Sequence, residues 1–275
     1  ISKLYAERLK MVMPDLVHPN QVAYVKGRFI GEGIRVIEES MNFTKKHNLN
    51  AYALAIDFEK AFDSVNWEYM WEALESFNIP TEFIDAIKLL YNDIESCVMN
   101  NGNSTAYFKI RRGVRQGDPI AAYLFTLVIE LLAIKIRNDD SVEGLNINEQ
   151  TIKLSMYADD MTGLLIGTKS IRALLSILAI FKSVSGLGIN NDKTEIMPLG
   201  NSKPSELEHT DLGINLVTAM KVTGIVFSYN REIGLNKNFR GTLINIDKML
   251  KIWKMRHLSL LGKIQIIKTF GISQI

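Results

Sequence analysis

One cysteine, six prolines and no long uninterrupted apolar run are what this 275-residue chain has least of, and each scarcity excludes something. With Cys97 alone there is neither a disulfide framework nor a thiolate metal site, and a reducing compartment is the default. The most apolar stretch, Ile120 to Ile136, is interrupted by Glu130 and Lys135 and falls short of the ~20 residues a membrane span needs. It reads as a buried helix, and no membrane association is expected. The start lacks both Met and the charged-then-apolar order of a signal peptide, and Ile1 runs directly into Leu4, Leu9 and Val12. The chain is therefore expected to be excised from something longer. No internal repeat or low-complexity tract appears. Net charge is also small, +2, but it is unevenly spread: from Leu235 to Ile275 eight Lys/Arg face the single Asp247, a balance of +7 that leaves −5 on the remainder. Such a tail is either built to meet a polyanion or is a solvated basic helix face.

What is present is ordinary globular material, 47% hydrophobic and 23% charged, enough for a sizeable core. The spacing predicts a helix over Ile1–Met13, stopped by Pro14. Asn20 to Ile34 then carries Lys26, Arg28 and glycines at 27, 31 and 33, which suits a phosphate clamp or plain turns equally. A helix from Gly33 to His47 leads into Ala51–Ile56, an apolar run of strand length that ends on Asp57. Asn66 is placed to cap a helix with Trp67, Met70, Trp71, Leu74 and Phe77 on one face, and Thr81 opens another after Pro80. Asn101-Gly102 marks a hairpin turn within Cys97–Ile110. Next comes Arg111-Arg-Gly-Val-Arg-Gln-Gly-Asp-Pro119, with phosphate-matched arginines and Asp118-Pro119 as the cap of a helix over Ile120–Arg137. A helix over Ser170–Ser185 closes on Gly186, a hairpin turns at Thr223-Gly224, and helices over Asn236–Met255 and Leu258–Phe270 display Lys248, Lys251, Lys254, Lys263 and Lys268.

The stretch Lys153–Ile166 is two apolar runs around the acidic pair Asp159-Asp160, a hairpin expected to carry the two acids as its tight turn. Adjacent acids suit such a turn poorly, and local rules broken this way mark sites. If this hairpin lies beside the strand ending on Asp57, three carboxylates converge, and like charges at that range call for cations between them. Two Mg²⁺ ions ~3.5 to 4 Å apart would clamp both the attacking and the leaving oxygens of a phosphoryl transfer. The order of elements suits an α+β palm, an antiparallel sheet on helices.

In this order and spacing, Asp57-Phe-Glu-Lys-Ala-Phe-Asp63, Arg115-Gln-Gly-Asp-Pro119, Tyr157-Ala-Asp-Asp160 and Gly186-Leu-Gly-Ile-Asn190 with Lys193 resemble the successive motifs of reverse transcriptases. Asn20-Gln-Val-Ala-Tyr-Val-Lys-Gly-Arg28 and Leu258-Ser-Leu-Leu-Gly-Lys-Ile-Gln-Ile-Ile-Lys268 resemble the non-LTR, LINE-type retrotransposon branch. The resemblance implies a right-hand polymerase: fingers and palm over 1–234 (fingers near 1–50 and 94–118), and the truncated start of a helical thumb over 235–275. It implies an RNA-directed DNA polymerase fragment that adds deoxynucleotides to a DNA primer on an RNA template, with two Mg²⁺, or Mn²⁺ in their place. Asp57 and Asp159 would ligate both metals with Asp160 beside them, and Lys193 would be the general acid for pyrophosphate. Phe62 would be the steric gate under the incoming sugar, with Arg115, Gln116 and Gly117 lining that nucleotide's pocket. Lys26, Arg28, the Thr223-Gly224 hairpin, Lys248, Lys251 and Lys254 would grip nucleic acid. Action in the nucleus is expected if insertion is target-primed, otherwise nucleus or cytoplasm. The chain departs from the family in having Ala23-Tyr24 where Gly-Phe is usual, and it has none of the Arg-Pro-Ile-Ser type segment expected upstream or the rest of the thumb.

Two rivals share parts of this pattern. Viral RNA-dependent RNA polymerases use the same palm but place a polar residue at the position of Phe62 and Gly before the acid pair, so Phe62 and Ala158 argue against them. A non-catalytic nucleic-acid-binding remnant of a mobile element stays open, although all three acids are intact.

Overall fold

The computed structural model describes residues 1–203, 207 and 212–274 and divides into two compact units, Ile1–Val217 and Thr218–Ile275. In the first unit the chain runs α1 (Ser2–Leu16), α2 (Ile30–Lys46), β1 (Asn50–Ile56), α3 (Ala61–Ser64), α4 (Trp67–Ser76) and α5 (Thr81–Tyr91). Short strands β2 (Glu95–Ser96), β3 (Met99–Asn100), β4 (Asn103–Ser104) and β5 (Phe108–Lys109) precede α6 (Ala121–Asn138). Then follow β6 (Leu145–Ile147), β7 (Gln150–Ile152), β8 (Leu154–Tyr157), β9 (Asp160–Ile166), α7 (Gly167–Ser185), β10 (Glu195–Gly200) and β11 (Asn215–Leu216).

The central sheet has the order β11-β10-β1-β9-β8, antiparallel except for the β10–β11 pair. Its middle strand shows why the run 51–56 is continuously apolar: Ala51, Tyr52, Ala53 and Leu54 are all fully buried, because helices cover both faces. α7 packs against β1 and β9, while α2 packs against β8 and β10. Behind α7 lies α6, apolar nearly all round, with Leu124, Phe125, Leu127, Val128, Ile129 and Ala133 at zero exposure. α1, α4 and α7 all contact it, and each large side chain buried there contributes about 1.5–3 kcal/mol.

Local signals place most boundaries. Asn66 accepts from the amides of Glu68 (2.8 Å) and Tyr69 (3.4 Å), capping α4 as its sequence predicts. Asn101 and Gly102 take left-handed φ of 48° and 81° between β3 and β4. α7 ends on Gly186 at φ 78°, where a Cβ would come within 2.5 Å of the Ser64 carbonyl oxygen. One expectation is corrected. α1 continues through Pro14 to Leu16: a proline two residues from the helix end forfeits only the bond its own nitrogen would make, and Arg28 caps that end by donating to the carbonyls of Pro14 (3.3 Å) and Val17 (2.6 Å). Of the glycines in the 20–34 segment, Gly27 is a left-handed turn, and Gly33 lies buried in α2 beside the Ser155 hydroxyl.

The second unit holds β12 (Ala219–Val222) and β13 (Ile225–Ser228), turned at Thr223 and Gly224 with φ of 45° and 90°. A helix follows from Arg231 through a π-type turn at Asn236–Arg240 into Gly241–Lys254, and then another over Leu260–Ile266. The compact division therefore falls earlier than the expected thumb boundary at Leu235. Asn238 is the reason: its side chain accepts from the Val226 amide (2.7 Å) and donates to the Val226 carbonyl (2.8 Å), binding the hairpin to the helix. Trp253 stacks on Phe270 with centroids 6.0 Å apart, and Arg256 lies over the Trp253 ring. No helix among the described residues is long and apolar enough to cross a membrane.

Candidate active site

The pairing register brings the acids together. β1 opposes β9 with Ile56 across from Met161, so Asp57, one residue on, stands across from Asp160. β9 in turn opposes β8 with Tyr157 across from Asp160, which leaves a two-residue turn of Ala158 and Asp159. The sequence expectation of an Asp-Asp tip is thereby corrected by one residue: Asp159 sits in the turn, while Asp160 is already the first residue of β9. Ala158 takes the left-handed conformation at φ 55°, which costs an alanine about 1–2 kcal/mol. The sheet accepts that cost because the turn places adjacent carboxylates at one strand end.

Electrostatics agree with the convergence. The carboxyl of Asp160 is raised above the ordinary range, first by the protein atoms that displace water around it and then by the charges of Asp159 and Asp57. Opposite Asp57, the segment after α7 is fastened to β1. Asn190 donates its amide to the Asp57 carbonyl (2.8 Å), and the Asp57 amide donates to the Thr194 hydroxyl (3.4 Å), with Thr194 fully buried. This brings the Lys193 ammonium to 4.0 Å from an Asp57 oxygen. Asp57, Asp159, Asp160 and Lys193 thus form one cluster. All three acids offer hard oxygen donors, and their mutual repulsion is of the kind a divalent cation relieves. Among the described residues, however, no group of three or more His, Cys, Asp or Glu side chains has the arrangement of a formed metal site.

The arginine-rich segment meets the same region from the side. Val114 and Gly113 donate their amides to the carbonyls of Phe62 and Val65, both at 2.7 Å. Gly113 has φ 88°, and a Cβ there would fall 2.8 Å from the Asp63 carbonyl oxygen, so only glycine permits the approach. Gln116 donates to Asp63 (3.1 Å), beside an exposed Gly117 at φ 86°. Phe62 is half-buried, with its ring stacked on fully buried Phe125 at 4.4 Å and 15°. Arg115 donates to the Leu90 carbonyl (3.1 Å) and lies 3.7 Å from Asp118, an anchorage for the loop. Asp118 accepts from the Ile120 amide (3.3 Å), while α6 itself begins one residue later at Ala121.

Arg28 does not present its guanidinium to a ligand, contrary to its expected grip on nucleic acid. Its two Nη atoms donate to the carbonyls of Pro14, Val17, His18 and Gln21. Lys26 is exposed on the same loop. Lys248 and Lys254 are exposed, and Lys251 is engaged with Asp247 at 2.6 Å. Thr223 and Gly224 form the tip of their hairpin in the second unit.

Three residues at the acid cluster were not singled out as site residues in the sequence. Gln21 is wholly buried and hydrogen-bonded to Ala158; Tyr24, left-handed at φ 57°, has a phenol raised by burial and by neighbouring Tyr157 and Asp159; Thr194 holds the Asp57 amide. The only sequence cue to the first two was their place in the 20–28 segment.

Comparison with known proteins fits this geometry. Residues 1–226 match the family model described as "Reverse transcriptase (RNA-dependent DNA polymerase)". A relative named "Transposon TX1 uncharacterized 149 kDa protein" from Xenopus laevis is 28% identical over 280 residues, covering 100% of this chain and 21% of the relative. The "Retrovirus-related Pol polyprotein from type-2 retrotransposable element R2DM" of Drosophila melanogaster is 25% identical over 226 residues, covering 74% of this chain and 21% of the relative. The chain thus spans about a fifth of the length of these relatives. Among solved structures, apo telomerase from Candida tropicalis truncated from its C-terminal domain superposes with a TM-score of 0.56 at 15% identity, over 82% of this chain and 42% of that one. Telomerase from Candida albicans with a fragment of telomeric RNA gives 0.55 at 10% identity, over 82% and 36%. These likenesses fix the fold as an α+β polymerase palm.

Proposed function

For a chain that belongs to the reverse transcriptase family, with non-LTR retrotransposon proteins among its relatives, we propose RNA-directed DNA synthesis: transfer of deoxynucleotides to the 3′-hydroxyl of a DNA primer on an RNA template. The observation that carries the reading is the meeting of Asp57, Asp159 and Asp160 at one end of the central sheet with Lys193 beside them.

Members of this family generally use divalent metals, and the donor set here suits Mg²⁺ or Mn²⁺, with Asp57 and Asp159 as the holding residues and Asp160 supporting them. When bound, two such ions would supply the acidity that activates the primer hydroxyl and the charge that steadies the departing pyrophosphate. The chain's own groups do the rest. Lys193 carries a proton beside Asp57 and is the candidate donor to the leaving oxygen. Phe62 backs the sugar against Phe125, and Gln116, fixed by Asp63, borders the nucleotide. The hairpin tip at Thr223-Gly224 and the exposed Lys248 and Lys254 are assigned to the primer-template, with 235–275 as the start of a thumb. Action in the nucleus is part of this reading where insertion into a chromosome is target-primed, and action in the nucleus or cytoplasm otherwise.

The test is Asp159→Asn, compared with wild type for extension of a DNA primer on an RNA template in Mg²⁺. An amide in that position cannot hold the paired cations, so extension should fall by several orders of magnitude while primer-template binding persists. Comparable rates would sink the two-metal assignment.

A further inference from the structure

We propose that Gln21 is the positioning residue of the carboxylate turn: its buried side-chain amide closes both polar groups of Ala158 and so sets where Asp159 and Asp160 stand relative to Asp57. The placement of the turn by Gln21 is independent of what the site does; its consequence for catalysis rests on the polymerase reading above.

The carbonyl oxygen of Gln21 accepts from the amides of Ala158 and Ala23, each at 3.0 Å, and its NH₂ donates to the Ala158 carbonyl at 3.2 Å. One side chain therefore supplies to Ala158 what a neighbouring strand would supply, at a residue whose left-handed backbone lies just beyond the end of β8. The main chain reinforces the match. Met156 donates to the Asn20 carbonyl (2.8 Å) and Val22 donates to the Met156 carbonyl (3.0 Å), so Gln21 makes one isolated parallel bridge to Met156 of β8.

What holds this segment is itself charged and specific. Arg28 gathers the carbonyls of Pro14, Val17, His18 and Gln21. From α6, Glu130 accepts the His18 amide (3.2 Å), and Arg137, paired with Glu130, donates to the Asn20 side chain (3.1 Å). Arg28 and Glu130 thus hold the backbone of 18–21 and Arg137 holds the Asn20 side chain, and the free end of that arrangement is the Gln21 side-chain amide. An apolar side chain would fill the same buried volume, so packing alone does not call for glutamine. Its hydrogen bonds go to Ala158 in the turn and to the Ala23 amide.

The experiment uses the 275-residue chain as wild type and as Gln21→Met, which keeps the volume and removes all three bonds. Gln21→Asn serves as a second variant, with an amide one methylene too short to bridge. Amide hydrogen exchange should quicken at least tenfold at residues 158–160 in both, with β1 and β10 protected as in wild type. Mn²⁺ affinity, read by electron paramagnetic resonance, should fall about tenfold. In primer extension kcat should drop while KM for the nucleotide stays within twofold. Unchanged exchange at the turn would overturn the proposal. So would faster exchange spread evenly through the sheet, because Gln21 would then be no more than a core residue. Failure of the wild type to bind Mn²⁺ or extend a primer would instead strike the polymerase reading, leaving the exchange result to decide on Gln21.

Discussion

Replacement of Phe62 by valine separates a steric gate from simple packing, and the structure sets the size of both effects. The ring is half-buried, with one face on Phe125 at a centroid distance of 4.4 Å. Loss of that stack is worth about 0.5–1.5 kcal/mol. Complete truncation of a fully buried Phe costs about 3–5 kcal/mol, and a half-exposed ring cut only to valine should lose less than half of that. The total is on the order of 1.5–2 kcal/mol, a fall in Tm of about 3–8 °C for a chain of this size. That loss lowers the amount of active enzyme and affects every substrate alike. A gate has a second effect: the volume vacated by the ring admits a 2′-hydroxyl. The ratio of kcat/KM for a ribonucleotide to that for its deoxyribonucleotide on one RNA template should therefore rise at least tenfold, equivalent to about 1.4 kcal/mol of discrimination. Because the ratio cancels any general loss of folded protein, it reports the gate alone. An unchanged ratio beside the expected fall in Tm would make Phe62 a support for Phe125 and reopen the RNA polymerase alternative.

Two further outcomes follow from charge. The Asp160 carboxyl is raised on folding, so its ionised form is the penalised one: the penalty is absent below the ordinary Asp value of ~3.9 and complete once pH has passed the raised value. Asp160→Asn should therefore raise Tm at pH 7 and give no gain near pH 3 in metal-free buffer, and Mg²⁺ should stabilise wild type more than the variant; equal gains at both pH values would refute a penalty on the ionised carboxyl from burial and its acidic neighbours. Lys248→Ala with Lys254→Ala should weaken primer-template binding and flatten its logarithmic salt dependence by about 0.9 for each phosphate that is no longer neutralised. An unaltered slope in a salt titration would mean that these lysines are solvated surface.

The sequence was most legible where a pattern is local. Asn101-Gly102 and Thr223-Gly224 name their own turns, Asn66 its own cap, and the run 51–56 its own strand, since each depends on neighbours a few residues away. It was less legible where a distant residue changes the local rule. Pro14 forfeits only the one bond its own nitrogen would make, so a single further turn is tolerated, and Arg28, fourteen residues on, caps the end that results. Arg28 read as a phosphate contact because a sequence gives charge without partners; in the fold both its Nη atoms go to main-chain carbonyls, while Arg115 gives one Nη to the Leu90 carbonyl and stays partly exposed. The acids at 57, 159 and 160 were legible as a group only because two strand-like runs both end on carboxylates. That β1 and β9 are neighbours is a property of the sheet.

The one-residue shift of the turn shows how the site is made. Had Asp159 and Asp160 formed the turn together, both would hang beyond the sheet, free to relax away from each other and from Asp57. With Ala158 and Asp159 in the turn, Asp160 is committed to the β9 ladder directly across from Asp57, and Asp159 is tied to it by one peptide. Moving the chain cannot then relieve the repulsion among the three, which adds to the larger effect of burial in raising the Asp160 carboxyl. Burial of an uncharged amide at Gln21 meets the same requirement from below: a cationic residue in that place would satisfy the acids internally and compete with any ion, whereas glutamine fixes the backbone while leaving the negative charge unneutralised. The only nearby cation among the described charge pairs of this cluster is Lys193, 69% exposed at its side chain and 4.0 Å from Asp57, close enough to serve chemistry and too loosely held to quench the site.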